Sequence, residues 1–182
     1  ATQNGKEICF ITQLKKNKNA LEIDNLHETP SIEEVISNLP KKQHICLIIN
    51  NDNVLTKQID SSETNILKLV YKVFPNINLD DFYYDVIKQQ NNQFVSICRK
   101  TYVVELIDVY KQHGLSIINI VLGNTAISGV SSFLKSKKIT TSNAHVFFNN
   151  QTITTIEKTE VGNNKQLFAF LFWSFECFDK HI

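Results

Sequence analysis

The sequence predicts a mixed α/β (α+β) fold, and three observations lead to that prediction. Runs rich in β-branched and aliphatic residues recur along the chain, as strands require. The stretches between several of these runs carry apolar residues at helical spacing and end at Pro or Gly, which is how helices commonly end. Hydrophobic residues make up 42% and charged residues 20% of the 182 residues, so the chain can bury a core.

The first third is predicted to contain a hairpin, a helix and two further strands. Thr29 supplies an N-cap, Pro30 takes the first helical position, and Pro40 ends the helix. The apolar run at 44–49 is continuous, which is typical of a central strand buried on both faces. In chain order, the predicted strands are 7–14, 20–23, 44–49 and 54–59.

The middle third predicts a helix, a hairpin, a second helix and a strand. Ser61 or Ser62 caps the first helix, and Pro75 stops it. Thr101 caps the second helix, and Gly114 ends it in a left-handed C-cap position. The predicted strands are 82–88, 94–100 and 115–122, of which the first two are joined by a polar turn. The elements predicted after them are a helix at 125–134 and a hairpin of strands 139–148 and 152–157.

The segment 165–178 is aromatic on every side and fits two structures. Phe168 and Phe172 with Phe175 fit a helix face, whereas Phe168, Phe170 and Phe172 fit a strand face. Its length favours the helix. A helix that is apolar all round needs cover on every side, so part of the run is a candidate partner-binding surface. The candidate partner-binding residues are Phe168, Phe172, Trp173 and Phe175.

Charge and cysteine content narrow the class of protein. A net charge of +1 gives no reason to expect nucleic acid as a partner. The most apolar stretch, 167–178, is too short to span a bilayer, so no membrane span is expected within this sequence. The four cysteines are far apart and three lie in apolar runs, which indicates buried thiols in a reducing compartment. The chain begins at Ala1 and contains no Met, which indicates part of a longer protein.

Residues that could carry catalysis are sparse. The sequence contains no nucleophile elbow, phosphate loop, dinucleotide fingerprint or metalloprotease helix, and its five histidines lie far apart. Asp80, Asp81 and Asp85 form the densest acidic group, interpreted as a loop followed by a strand aspartate that faces water. We therefore expect no catalytic residue, no cofactor and no metal. A small α+β enzyme with a site assembled from scattered His and Asp residues remains an alternative.

The central segment resembles a known protein family. The helix ending in Val73-Phe74-Pro75, followed by Leu79-Asp80-Asp81-Phe82-Tyr83, resembles a pattern in actin-like assembly proteins of type IV pili and type II secretion, the PilM- and GspL-type proteins. The continuation through the helix 103–113 and Gly114-Leu115-Ser116-Ile117 is also similar. The resemblance covers about residues 5–125, and the remainder only by the order of its elements.

The resemblance implies an actin-like (ribonuclease H-like) lobe with a mixed sheet and an inserted small α+β subdomain. It places the lobe, or lobes, in residues 1–60 and 115–182, with a truncated second lobe as an open alternative. The inserted subdomain is residues 61–114.

Departures from the family pattern bear on function. Nucleotide-binding members of the fold carry D-x-G phosphate loops, whose glycines let the backbone approach phosphate, but this sequence has no D-x-G. Where the second-lobe loop is expected, the sequence reads Thr140-Thr141-Ser142-Asn143-Ala144. The resemblance therefore implies a non-catalytic cytoplasmic scaffold, peripheral to the inner membrane, that binds platform or motor proteins. The alternatives are an ATPase whose phosphate loops lie outside this sequence, and a self-assembling structural protein such as a homodimer.

Overall fold

The computed structural model describes residues 1–159 apart from 4–5, 18–19, 90–91 and 135. The helices are α1 (Ile32–Asn38), α2 (Ile66–Val73) and α3 (Lys100–Gln112), with 3₁₀ helices at Leu79–Asp81 and Gly123–Phe133. The strands are β1 (Thr2–Gln3), β2 (Lys6–Glu7), β3 (Cys9–Asn17), β4 (Ala20–Thr29), β5 (His44–Ile49), β6 (Val54–Asp60), β7 (Phe82–Gln89), β8 (Asn92–Arg99), β9 (Ser116–Leu122), β10 (Lys138–Thr140), β11 (Ala144–Asn149) and β12 (Thr152–Lys158).

The strands form separate small sheets. Two hairpins, β1–β2 and β3–β4, are antiparallel, and β5 pairs with β9 in parallel. The strand β8 lies between β6 and β7 in a three-stranded antiparallel sheet. The strand β11 lies between β10 and β12 in another. Among the described strand pairs, β5 and β9 are the farthest apart in sequence. The helices α1 and α3 pack against the apolar side chains of this pair.

Most predicted elements are confirmed, but the predicted N-caps of the helices are wrong. The side chain that caps α1 is Ser31, whose Oγ accepts the Glu34 N–H at 3.1 Å, because Thr29 is still the last residue of β4. Asn65, rather than Ser61 or Ser62, caps α2 by accepting the Lys68 N–H at 3.1 Å.

Of three further helix ends, two agree with the prediction. The helix α3 begins one residue before Thr101, with Arg99 at the N-cap position. Pro75 follows the last turn of α2 as predicted. Gly114 adopts φ of 75°, and Leu115 N–H donates to the Tyr110 carbonyl at 3.1 Å, which confirms the left-handed C-cap.

Three predicted segments differ from the observed elements in type, number or length. The predicted strand 139–148 is two strands, β10 and β11, because Thr141 N–H bonds the Ala144 carbonyl at 2.8 Å and turns the chain. The predicted helix 125–134 is the 3₁₀ helix Gly123–Phe133, in which Thr125 Oγ1 donates to the Leu122 carbonyl. The strand β4 extends to Thr29 rather than ending at residue 23.

The predicted complete burial of β5 is also wrong. Ile49 at its end is 3% exposed, whereas 45–48 are only half-buried. The physical reason is that, in the described part of the chain, β9 is its one strand partner. A strand becomes fully buried when both edges and both faces are covered.

Candidate functional site

The residues proposed from the sequence as a partner surface lie outside the described part of the chain. Phe168, Phe172, Trp173 and Phe175 all follow residue 159, and so does the whole segment 165–178. Their role and the choice between helix and strand stay predictions. Two other features of the described structure are candidate functional sites. One is a buried polar cluster, and the other is an exposed aromatic cleft.

The polar cluster lies where the parallel strands end. Asn50 directly follows β5, and Asn124 follows β9 by two residues. Because parallel strands carry their carboxyl ends to one edge, these two side chains come together, and the β10–β11 turn joins them there. We call Asn50, Asn124, Ser142 and Asn143 the asparagine cluster.

The amides of the asparagine cluster bond one another. Asn50 Nδ2 donates to Asn124 Oδ1 at 2.9 Å and to Asn143 Oδ1 at 3.1 Å. Asn124 Nδ2 donates to Asn143 Oδ1 at 2.9 Å. Asn143 Nδ2 returns a bond to Asn50 Oδ1 at 3.2 Å. The side-chain amides of the three asparagines are thus engaged with one another. None of the four side chains of the cluster carries a charge.

A second polar link lies beside the cluster. Asn51 Nδ2 donates to Glu7 Oε1 and to the Tyr102 hydroxyl, both at 2.6 Å. Burial raises the pKa of Tyr102, and the hydrogen bond from Asn51 opposes that rise. These bonds tie the β1–β2 hairpin and α3 to the end of β5. The polar run 50–53, predicted only as a turn, was the available sequence signal for both links.

Gly123 holds the end of β9 close to a neighbouring sheet. Its φ is 73°, and a Cβ atom there would lie 3.0 Å from Thr56 Oγ1 and 3.3 Å from Val54 Cγ1. A side chain would therefore meet both β6 and an unfavourable backbone conformation. This close approach fixes the position from which Asn124 reaches the asparagine cluster.

Asp85 does not face water as the sequence suggested. It is half-buried, and its Oδ2 accepts the Leu122 N–H at 3.2 Å across the sheets. Burial raises the pKa of the Asp85 carboxyl, and the bond from Leu122 partly offsets this. Asp80 and Asp81 lie exposed in the 3₁₀ helix before β7, as predicted for a loop.

The raised pKa of Asp85 predicts a pH effect on stability. When folding raises the pKa of a carboxyl group, protonation of that group stabilises the folded protein. This contribution is complete below the pKa of the unfolded state and is lost as the pH rises through the pKa of the folded state. We expect Asp85→Asn, which keeps an acceptor for Leu122, to gain stability relative to the parent as the pH rises from acid to neutral. Urea unfolding at several pH values measures this, and parallel stability curves would contradict it.

The second feature is an exposed cleft between α2 and the start of β7. Its volume is about 670 Å³. Its apolar and aromatic lining is Leu67, Tyr71, Leu79, Phe82, Tyr83 and Tyr84. Asp80 and Lys100 complete the lining, and we call this surface the aromatic cleft.

Several side chains of the aromatic cleft are exposed to solvent. Leu67 is 48%, Tyr71 46% and Tyr83 39% exposed. Leu67 and Tyr71 are four residues apart and share one face of α2, while Leu69 and Val70 on the other side are fully buried. The apolar residues of α2 thus occupy both a buried and an exposed face, and the exposed face was not predicted from the sequence.

Cations flank the rings at one end of the cleft. The Arg99 guanidinium lies 5.2 Å from the centroid of the Phe82 ring. The Lys100 amine lies 5.9 Å from the centroid of the Tyr83 ring. Such contacts hold aromatic rings in place at the surface. The cleft is thus a mainly apolar surface bounded by one acidic and one basic side chain.

The part of the chain that the structure describes contains neither a metal-binding group nor a membrane-spanning helix. Its His, Cys, Asp and Glu side chains form no group of three that could hold a metal ion. The helices within it are all too short or too polar to cross a membrane. The described cysteines, Cys9, Cys46 and Cys98, are not joined in disulfides.

Comparison with known proteins identifies the fold. No protein-family model and no curated protein matches the chain. A chain of the PilM–PilN type IV pilus biogenesis complex matches over 82% of this chain, with a TM-score of 0.61 and 11% identity. The match covers 57% of that chain, so this protein spans a little over half of its length.

A second solved structure is the cytoplasmic domain of EpsL, an inner membrane component of the type II secretion system of Vibrio cholerae. It matches over 90% of this chain and 69% of its own, with a TM-score of 0.49 and 10% identity. The likeness to the pilus protein shows a shared fold. The resemblance drawn from the sequence is thereby confirmed at the level of the fold.

Proposed function

We propose that this protein is a non-catalytic scaffold that binds other proteins in a secretion or pilus assembly platform. The observation that carries the proposal is the aromatic cleft, an exposed apolar surface on a fold shared with a pilus biogenesis protein. Exposed aromatic side chains in a concave surface are the side chains that dominate protein interfaces. The scaffold would work in the cytoplasm at the inner membrane.

The chemistry of the cleft indicates the kind of partner. Its charged lining residues are Asp80 and Lys100, whose opposite charges balance, and the others are aliphatic or aromatic. An uncharged, apolar segment of a platform protein therefore suits it better than an acidic or basic one. Tyr71 and Tyr83 also offer hydroxyls that can bond the partner's backbone at the rim.

The asparagine cluster supports a role without nucleotide. A triphosphate site needs backbone donors or cations directed at the phosphates. At the carboxyl edge of β5 and β9, the donors of Asn50, Asn124 and Asn143 are directed at one another. The competing ATPase proposal predicts a rise in melting temperature with MgATP, whereas the scaffold proposal predicts none.

The domain division is also part of the proposal. The division expected from the sequence gives residues 61–114 to the inserted subdomain and the ranges 1–60 and 115–182 to actin-like lobes. The pairing of β6 with β8 favours an insertion that begins nearer residue 54, because a strand and its sheet belong to one unit. The candidate residues Phe168, Phe172, Trp173 and Phe175 remain a second partner surface in this proposal.

The chain offers a matched pair of leucines for testing the cleft. Leu67 lies in the cleft and is 48% exposed, while Leu55 on β6 is 50% exposed and lies outside it. We expect Leu67→Ala to weaken binding of an apolar platform peptide about tenfold and Leu55→Ala to leave it unchanged. Fluorescence anisotropy would measure this with synthetic peptides that cover the cytoplasmic segments of the source organism's pilus and secretion membrane proteins.

Two results would contradict the proposal. Equal loss of binding in both leucine variants would show that the cleft is not the interface. Concentration-dependent oligomers in the absence of peptide, abolished by Leu67→Ala, would favour the self-assembling alternative instead. Analytical ultracentrifugation of the same two variants distinguishes these outcomes.

A further inference from the structure

The strand β7 has an open edge beside the aromatic cleft. The order of its sheet is β6–β8–β7, so β7 pairs with β8 on one side and with no described strand on the other. An open edge presents a row of backbone N–H and C=O groups that can pair with a further strand. The strand β6 forms the opposite edge of the same sheet, which allows the two edges to be compared.

The aromatic cleft passes around the open edge of β7. Tyr83 and Tyr84 are neighbours in this strand, so their side chains point to opposite faces of the sheet. Tyr84 lies opposite Ile97 of β8, on the face that α2 covers. Tyr83 lies opposite Cys98 of β8, on the face that α3 covers. Because both tyrosines line the cleft, the cleft reaches both faces and therefore runs along the edge between them.

The two edges of the sheet differ in how well they are protected from pairing. The strand β6 carries Lys57 at its centre, and the Gln58 side chain beside it donates to the Thr154 carbonyl at 2.9 Å. A lysine and a covering neighbour are common means of protecting an edge strand. The strand β7 begins instead with the uncharged aromatic residues 82–84, of which both tyrosines are exposed. The unprotected edge is thus the one beside the cleft.

A strand added to this edge would place its alternate side chains on the two faces of the sheet. On one face they would meet Leu67 and Tyr71 of α2 together with Tyr84. On the other face they would meet Tyr83, whose ring centroid lies 5.9 Å from the Lys100 amine. The two charged lining residues of the cleft have opposite signs, so an uncharged strand complements it best.

We propose that a partner protein binds by adding one extended, uncharged strand to the open edge of β7, with apolar side chains at alternate positions in the aromatic cleft. This inference rests on the proposed function, because it names how the same surface holds its partner. Backbone hydrogen bonds to β7 provide the affinity, and the side chains of the cleft provide the specificity. About four to six residues of the partner pair with the strand.

Backbone methylation of a bound peptide is the first test. The probe is the tightest-binding member of the synthetic platform peptides, with N-methyl groups on alternate residues in one derivative and on the intervening residues in the other. In an added strand, one set of amides donates to β7 and the other set points away from it. We expect one derivative to lose affinity about tenfold or more and the other to bind like the unmodified peptide. Equal affinity of the two derivatives would overturn the proposal.

Amide hydrogen exchange is the second test, because it locates the pairing on the protein. Alternate amides of β7 bond β8, and the others face the open edge. We expect the peptide to slow exchange of the edge-facing amides about tenfold or more and to leave the edge of β6 unchanged. If the edge-facing amides of β7 exchange equally slowly without peptide, the edge is already covered and the proposal is wrong. Protection that rises with protein concentration alone would assign the edge to a second copy of this chain, which also overturns it.

The outcomes separate strand addition from the proposed function. A peptide whose binding is weakened by Leu67→Ala but equally affected by both methylation patterns would keep the cleft as the partner surface and refute strand addition. Failure of every platform peptide to bind would refute both.

Discussion

Replacing Phe94 with alanine is expected to lower the free energy of unfolding by about 3–5 kcal/mol. The side chain is 1% exposed and is the largest fully buried side chain among the residues that the structure describes. It belongs to β8, yet its hydrophobic cluster includes Val121 of β9, Ile127 of the long 3₁₀ helix and Val146 of β11. Its removal opens a cavity where three parts of the chain meet, which neighbouring side chains cannot fill without moving a sheet.

Urea unfolding, monitored by the far-UV circular dichroism of the backbone, would measure this change. Tyr84→Ala provides the comparison, because that aromatic side chain is 38% exposed on the adjacent strand β7. We expect it to cost about 1 kcal/mol or less. A loss near that value for Phe94→Ala would mean that β8 does not pack against the last sheet as described.

The second large effect is expected at the asparagine cluster. Asn50→Ala removes donors to Asn124 and Asn143 and leaves buried amide groups without partners. An unsatisfied buried polar group costs about 1–3 kcal/mol, so we expect a loss of about 2–3 kcal/mol. Asn149→Ala is the control, since that side chain is exposed at the end of β11. It should change stability by about 0.5 kcal/mol or less.

A double-mutant cycle separates the cluster from simple loss of packing. Asn50→Ala and Asn143→Ala remove two sides of the same bonded group, so their costs should not add. We expect a coupling free energy of about 0.5–3 kcal/mol between them. Additive costs would show that the two amides do not act together, and would remove the main support for a role without nucleotide.

The elements predicted best are those defined by local rules. Pro75 ends α2 and Gly114 ends α3, because proline lacks an N–H and glycine accepts the left-handed conformation. The strands β7 and β8 pair in antiparallel orientation, as the predicted hairpin requires. The fold class followed from the order of these elements, and the family resemblance identified the fold that the pilus protein shares.

The features that escaped prediction depend on contacts distant in sequence. The asparagine cluster joins Asn50 to Asn143, 93 positions away, so the sequence indicated the polar turn after β5 but not its distant partner. Asp85 looked like a solvent-facing strand residue because its partner, Leu122, belongs to another sheet. The aromatic cleft was missed because Tyr71 and Tyr83 belong to separate elements that meet only after folding.

The most direct test of the scaffold proposal is site-specific photocrosslinking in cells of the source organism. A benzoylphenylalanine replaces Tyr71 in the aromatic cleft, or Leu55 outside it as the control. We predict that the variant at 71, and not the one at 55, forms a covalent adduct with an inner-membrane component of a pilus or secretion machine, identified by mass spectrometry. Equal adducts from both positions, or adducts at 71 only with unrelated proteins, would contradict the account.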